Sequence, residues 1–298
     1  MGCGFEITAV HPDSLLAKEA ILAAEGEMRR IEKLISDWDS TSLVSAINRY
    51  AGIRPVKVTR ELFDFIHRSI KISELTDGAF DITFAGMDKV WTFDGSMAQM
   101  PDSSTVQKSL RHVGYQKIIL NAADTTVFLP EKGMKIGFGG NGQGFAARKA
   151  KALMLQKGIA SGVVNASGEP TAWGLQPDGS PWRIGVTDPV VTDRLCAWLS
   201  VSDLTVATSG NYEKYVTFNG IRYGHIINPQ TGYPSVGLTS VTIICPDPEI
   251  ADALSTAVFV LGEKDGLALI NRIKSVEAFL YTTDQRLVTS RNIKLNYY

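Results

Sequence analysis

Apolar residues recur at helical spacing early in the chain, where Ile21, Ala24, Met28, Ile31 and Ile35 fall three or four apart and leave Lys18, Glu25 and Arg29 for water. This predicts a long helix with Asp13 or Ser14 as N-cap, ending near Ser36 before the loop DWDSTS. Residues 1–10 alternate as a strand does. A second helix is expected over 61–75, with Leu62, Phe65, Ile66 and Ile70 on one face and Thr76-Asp77-Gly78 as its stop signal. A third helix over 103–113 precedes strands over 117–120 and 126–129. A glycine-dense loop, 137–144, opens a helix over 145–157. Strand-like runs then dominate: 161–165, 182–186, 197–201, 205–207, 215–218 and 238–245. Helices over 249–261 and 264–273 and strands over 278–281 and 286–289 complete the pattern. Hairpins outnumber parallel crossovers, so the expected class is α+β, with mixed, largely antiparallel sheets and flanking helices. No fixed-period repeat or low-complexity linker divides residues 1–298, which predicts a single domain or two intimate subdomains.

Composition narrows the function. With 298 residues, 44% of them hydrophobic, the chain can bury a large core. Thirty basic residues against 31 acidic ones, without a long run of either sign, give nucleic-acid binding no electrostatic support. Cys3, Cys196 and Cys245 form no CxxC pair, so buried thiols are expected rather than a disulfide framework or thiolate metal site. The histidines show no paired spacing, which leaves zinc unsupported. No apolar run reaches the ~18 residues of a membrane span, and no basic region followed by an apolar one opens the chain.

Three segments carry candidate chemistry. In ADALSTA, residues 251–257, Asp252 and Thr256 lie four apart on a predicted helix, so both oxygens project from one face. A carboxylate and a hydroxyl so placed suit Mg²⁺, although an Asp that caps and a Thr that bonds back to a carbonyl would leave the same trace. In IGFGGNGQGFAARKA, residues 136–150, glycines allow close backbone approach, and a helix N-terminus follows that suits phosphates. The segment contains GxGxxG at Gly137, Gly139 and Gly142, but a Rossmann unit lacks its βαβ context and its acidic residue. In HIINPQTGYP, residues 225–234, Pro229 and Gly232 mark a turn with His225 at its entrance, either structural or placed to take a proton from an attacking hydroxyl. Trp38, in a polar loop, and Phe80, exposed-looking beside the equally exposed-looking Asp81 in GAFDIT, offer rings for packing or for stacking on a flat heterocycle.

These segments stand in a telling order. From MGCGFEI through IEKLISDWDSTSLVSAIN, TDGAFDIT with the later Trp91, GFGGNGQGFAA, VVNASGE, ATSGNYEKY, HIINPQTGYP and ADALSTAVFVLG, the chain resembles the FAD:protein FMN transferases, the ApbE-like flavin transferases, over essentially its whole length. The resemblance implies the ApbE-like architecture and transfer of FMN from FAD to a Thr or Ser hydroxyl of an acceptor protein, forming a phosphoester and releasing AMP. It implies Mg²⁺ held by the Gly142 carbonyl with Asp252 and Thr256; Ser255 stands where some members place another acidic ligand. It implies contacts to FAD from Met1, Trp38, Ala79, Phe80, Asp81, Gly139, Phe145 and Ile227, with His225 as the base. This chain departs from the family at Gly137, where many members have Asp; at Asn141, where a small apolar residue is usual; and at Gln143, in place of Lys. The usual GGD reads Ser167-Gly168-Glu169.

An FAD pyrophosphatase giving FMN and AMP, or a non-catalytic FAD-binding protein, would carry much of the same pattern. Family members are commonly lipoproteins at the periplasmic face of the bacterial envelope, which implies membrane attachment through a leader not present here; cytoplasmic members also exist.

Overall fold

A computed structural model describes residues 4–187, 195–211, 215–293 and 296–297. Among them the chain forms six α-helices: α1 (Ser14–Ile35), α2 (Leu43–Arg49), α3 (Arg60–Leu75), α4 (Ser103–Ser109), α5 (Gly142–Gln156) and α6 (Pro248–Ile270). It divides into two compact units, one of Met1–Ile31, Asn141–Gly210 and Gly237–Tyr298, the other of Glu32–Gly140 and Asn211–Val236. None of the described helices is long and apolar enough to cross a membrane.

The first unit is organised by a seven-stranded sheet in the spatial order Phe5–Val10, Ser161–Ala166, Glu169–Trp173, Leu204–Gly210, Leu238–Cys245, Glu277–Thr282, Leu287–Thr289. Every neighbouring pair is antiparallel. Strand periodicity sorts the side chains onto two faces. On one, Ala172, Val206, Ile244 and Phe279 pack beneath Trp182, Ile184, Leu199 and Val201 of the smaller antiparallel sheet that includes Trp182–Thr187 and Leu195–Val201. On the other lie α5 and α6, which also pack on each other. Alternation along Leu204–Gly210 puts Thr205, Ala207 and Ser209 on the face under α6.

In the second unit α3 buries Leu62, Phe65 and Ile66, and the Phe65 ring stacks on Phe138 with centroids 4.5 Å apart. Val56–Lys57, Thr126–Phe128 and Ile119–Asn121 form a small antiparallel sheet, and Tyr215–Phe218 pairs with Ile221–Gly224 as a hairpin.

Local signals account for the long elements. Asp13 caps α1 through the Leu15 and Leu16 N–H groups at 2.9 and 3.2 Å, and Ala24, Met28, Ile31 and Ile35 are buried as the periodicity predicts. The two late helices form one element broken at Gly262, whose φ of 79° and ψ of −177° are open to glycine. Short elements escape the pattern: α2, Val56–Lys57, Glu169–Trp173 and Ile221–Gly224 are too brief to show a period. α4 stops at Ser109 instead of 113, and Lys117 ends a 3₁₀ turn instead of starting a strand. Helix α5 starts at Gly142, three residues before the expected 145, for a reason that lies in the candidate site.

Candidate functional site

The first group of site residues lies where α5 begins against α6. Asn141, the N-cap of α5, makes no side-chain capping bond. The cap comes from 108 residues away: the Gly144 N–H donates to Asp252 Oδ2 at 2.9 Å, and the Gln143 N–H also bonds to this carboxylate. A helix leaves its first N–H groups without internal partners, and Asp252 satisfies two of them. This contact requires a glycine. A Cβ at position 144 would stand 2.1 Å from the Pro248 carbonyl oxygen and 2.9 Å from Asp252 Cβ.

Thr256, one turn beyond Asp252, has its Oγ1 3.3 Å from Ser209 Oγ. Ser255, wholly buried, donates back to the Asp252 carbonyl at 2.7 Å and shares a 2.7 Å bond with Ser209 Oγ. Nothing in the segment ATSGNYEKY singles out Ser209 by itself; the signal for it is strand alternation, which sets Ser209 two residues from Ala207 on the α6 face. Glu169 joins the group. Burial pushes its carboxyl well above the ordinary range, the Asp252 charge adds to the rise, and a backbone bond from Thr208 opposes it. Burial likewise raises Asp252, against the Gly144 and Gln143 N–H groups, with a further rise from the Glu249 charge. No cluster of three His, Cys, Asp or Glu side chains suited to a metal occurs among the described residues; the oxygens available here are carboxylates, hydroxyls and carbonyls.

The second group lines a cavity of about 1010 Å³ in the other unit. Its walls include Trp38, Phe84, Trp91 and Phe93, with Arg49, Lys89, Lys135, His225 and Ile227. Trp38 is 85% exposed, and Lys89 Nζ lies 5.5 Å from its ring centroid. Trp91 is buried and donates from Nε1 to the Gly232 carbonyl at 2.8 Å, which ties the cavity wall to the HIINP turn. That turn is closed by Gly232 N–H to the Asn228 carbonyl at 2.8 Å, and His225 follows the strand Ile221–Gly224 as an exposed side chain. Asn48 bridges the entry to the glycine loop, accepting from the Ile136 N–H at 2.8 Å and donating to the Ile136 carbonyl at 2.9 Å. Only the motif containing Asn48, not its role, was legible beforehand.

Several expected contact residues stand differently from the sequence reading. Phe80 is 4% exposed, and the Asp81 carboxylate is occupied: it accepts from Thr83 N–H at 2.7 Å, Thr83 Oγ1 at 2.6 Å and Tyr115 N–H at 2.9 Å. The expected exposure of this pair is therefore wrong, because Asp81 caps the 3₁₀ turn Ile82–Gly86 and draws Phe80 inward. Ala79 and Phe145 are buried too, leaving backbone or short-range contact as their means of touching a ligand. Gly139 has open space where a side chain would begin. Met1 lies outside the described residues, as does Cys3. Cys245 is a buried free thiol whose pKa burial raises to about 12.

A model of the ApbE family matches residues 1–280. The chain belongs to the ApbE family. It is 32% identical over 281 residues to an FAD:protein FMN transferase of Treponema pallidum (strain Nichols), covering 89% of this chain and 78% of that protein. A Klebsiella pneumoniae (strain 342) protein of the same name is 29% identical over 295 residues, covering 94% and 84%. The crystal structure of the ApbE protein from Thermotoga maritima superposes with a TM-score of 0.87 at 31% identity, covering 97% of this chain and 94% of that one. Apo flavinyl transferase ApbE from Pseudomonas stutzeri gives 0.85 at 27% identity, with 97% and 91% covered. The α+β, antiparallel architecture is thus the ApbE architecture.

One departure from the ApbE pattern acquires a physical form. A Cβ at Gly137 would meet Ala85 Cβ at 2.9 Å, and Asp37 Oδ2 would lie 3.2 Å away. A carboxylate from the DWDSTS loop thus stands beside Gly137, the position at which the resemblance leads one to expect Asp.

Proposed function

We propose that this ApbE-family chain is a magnesium-dependent FAD:protein FMN transferase that moves FMN onto a Thr or Ser hydroxyl of an acceptor protein and releases AMP. The observation that carries the reading is the α5–α6 junction, where the Gly144 N–H holds the Asp252 carboxylate at 2.9 Å and Thr256 follows one turn later. The donor chemistry fits a hard cation: burial and neighbouring negative charge disfavour the ionised forms of Asp252 and Glu169, and a divalent ion would reverse that balance. In this reading Asp252, Thr256 and the Gly142 carbonyl hold Mg²⁺, with the Ser255 hydroxyl bracing the helix turn between them. When bound, the ion would draw negative charge from the phosphate oxygens. The N-terminus of α5, two of whose N–H groups are given to Asp252, adds the positive end of its dipole.

The aromatic cavity takes the flavin half of FAD, with Trp38 and Trp91 as walls and Ile227 beside them. His225 accepts the proton of the acceptor hydroxyl as its oxygen attacks the phosphorus of the FMN half. A new P–O bond to the acceptor forms, the P–O bond to the AMP half breaks, and AMP leaves. Alignment and charge stabilisation supply most of the rate, as in phosphoryl transfer generally. An envelope location through a lipid anchor goes with this reading; fractionation of cells making the protein tests it.

Incubation with FAD, Mg²⁺ and a candidate acceptor domain is the direct test. Covalent flavin fluorescence on the acceptor and stoichiometric AMP support the transferase. Free FMN with no labelled acceptor would mean hydrolysis instead, and unchanged FAD would mean a binding protein. Asp252→Asn keeps an oxygen for the α5 cap but removes the charge, so metal-dependent AMP release should vanish while the melting temperature stays close to that of the parent.

A further inference from the structure

We infer that Ser209, on the sheet beneath α6, is a positioning residue that sets the direction of the Thr256 hydroxyl; this rests on the Mg²⁺ reading of Asp252 and Thr256. The argument is an accounting of three protons. Each hydroxyl has one proton to donate and two lone pairs. Ser255 gives its proton to the Asp252 carbonyl, 2.7 Å away, one turn back along α6. Its Oγ is also 2.7 Å from Ser209 Oγ, and with the Ser255 proton spent, Ser209 must be the donor in that contact. Ser209 then has no proton left for its other neighbour, Thr256 Oγ1 at 3.3 Å, and can only accept there. The Thr256 proton therefore points into the sheet and its lone pairs point away from it, the orientation a hydroxyl needs to serve as a neutral oxygen ligand.

The backbone makes this arrangement rigid. Ser209 is half-buried on a strand paired on the Leu238–Cys245 side, opposite Val241, and Ser255 is wholly buried, so the Ser255 hydroxyl cannot exchange its partners for water without moving an element. A Thr256 hydroxyl without this acceptor could rotate its proton toward the cation.

The test is Mg²⁺ binding to the whole chain by calorimetry, with Mn²⁺ resonance spectra as a second readout, before any turnover is measured. Outer partners of metal ligands are worth about ten- to hundredfold in affinity, so Ser209→Ala should weaken Mg²⁺ by at least about tenfold. Ser209→Cys, close in shape but a poor donor and acceptor, should lose a similar factor, which separates hydrogen bonding from the void an Ala leaves. In a Thr256→Val background, Ser209→Ala should have no further effect. Unchanged affinity in the Ser209 variants, with the parent binding Mg²⁺ and Asp252→Asn failing to, overturns the inference alone. An equal loss in the Thr256→Val background also overturns it, since Ser209 would then act independently of Thr256. A parent chain that binds no Mg²⁺, or an Asp252→Asn variant that binds as well as the parent, removes the underlying metal reading and this inference with it.

Discussion

The start of α5 and the aromatic cavity are built in opposite ways. At α5 the polar atoms are buried, their partners are backbone groups, and the spacing is fixed by contact of two helices through Gly144. In the cavity the side chains are long or planar, several are exposed, and order comes from a few anchors such as Trp91 on Gly232 and Asn48 on Ile136. The first arrangement suits a small ion whose ligands must not move. The second suits a large planar ligand, for which area counts more than position.

The sharpest way to break this contrast is Gly144→Ala. The new methyl would lie 2.1 Å from the Pro248 carbonyl oxygen, which belongs to the backbone of the helix packed against α5. Overpacking costs ~1–3 kcal/mol and loss of a helix cap ~0.5–2 kcal/mol, so a combined loss of roughly 2–5 kcal/mol is expected. Urea unfolding monitored by circular dichroism reads it as a lowered midpoint. A midpoint equal to the parent's would show that α5 and α6 yield easily, and the rigid half of the comparison would fall.

The same contrast explains what could be read from the sequence. The spacing of Asp252 and Thr256 is local, and a helix converts it directly into a shared face, so that pair was legible. The early start of α5 was not, because the cap that permits it arrives from α6. Phe80 and Asp81 looked exposed because a polar residue after a helix stop usually is; the N–H groups of Thr83 and Tyr115, which turn Asp81 into a half-buried cap, leave no mark in the segment itself. Glu169 was visible only as a departure from a motif, and its proximity to Asp252 depends on the strand Glu169–Trp173, too short to announce itself.

Asn48→Ala tests the anchors of the cavity. Asn48 mimics a strand partner for Ile136, satisfying both its N–H and its carbonyl, and Ile136 is fully buried. Leaving a buried polar group bare costs ~1–3 kcal/mol, so a loss of about 2 kcal/mol in unfolding free energy is expected, with weaker FAD binding. Stability equal to the parent's would mean that water replaces the side chain and that the glycine-loop entry needs no clamp.

The smallest change in stability belongs to Trp38→Ala, and there the two halves of the comparison separate most cleanly. At 85% exposure the ring contributes little to the folded state, so unfolding should shift by no more than about 0.5 kcal/mol. Stacking on a flavin would give that same ring, which has Lys89 Nζ near it, a flat aromatic partner, at ~0.5–1.5 kcal/mol for an aromatic pair. FAD affinity, followed by quenching of flavin fluorescence, should therefore fall by about two- to twelvefold while Mg²⁺ affinity in the absence of FAD is unchanged. Unaltered FAD affinity would remove Trp38 from the flavin wall and leave the buried Trp91 to do the stacking, even though its N–H is already committed to Gly232.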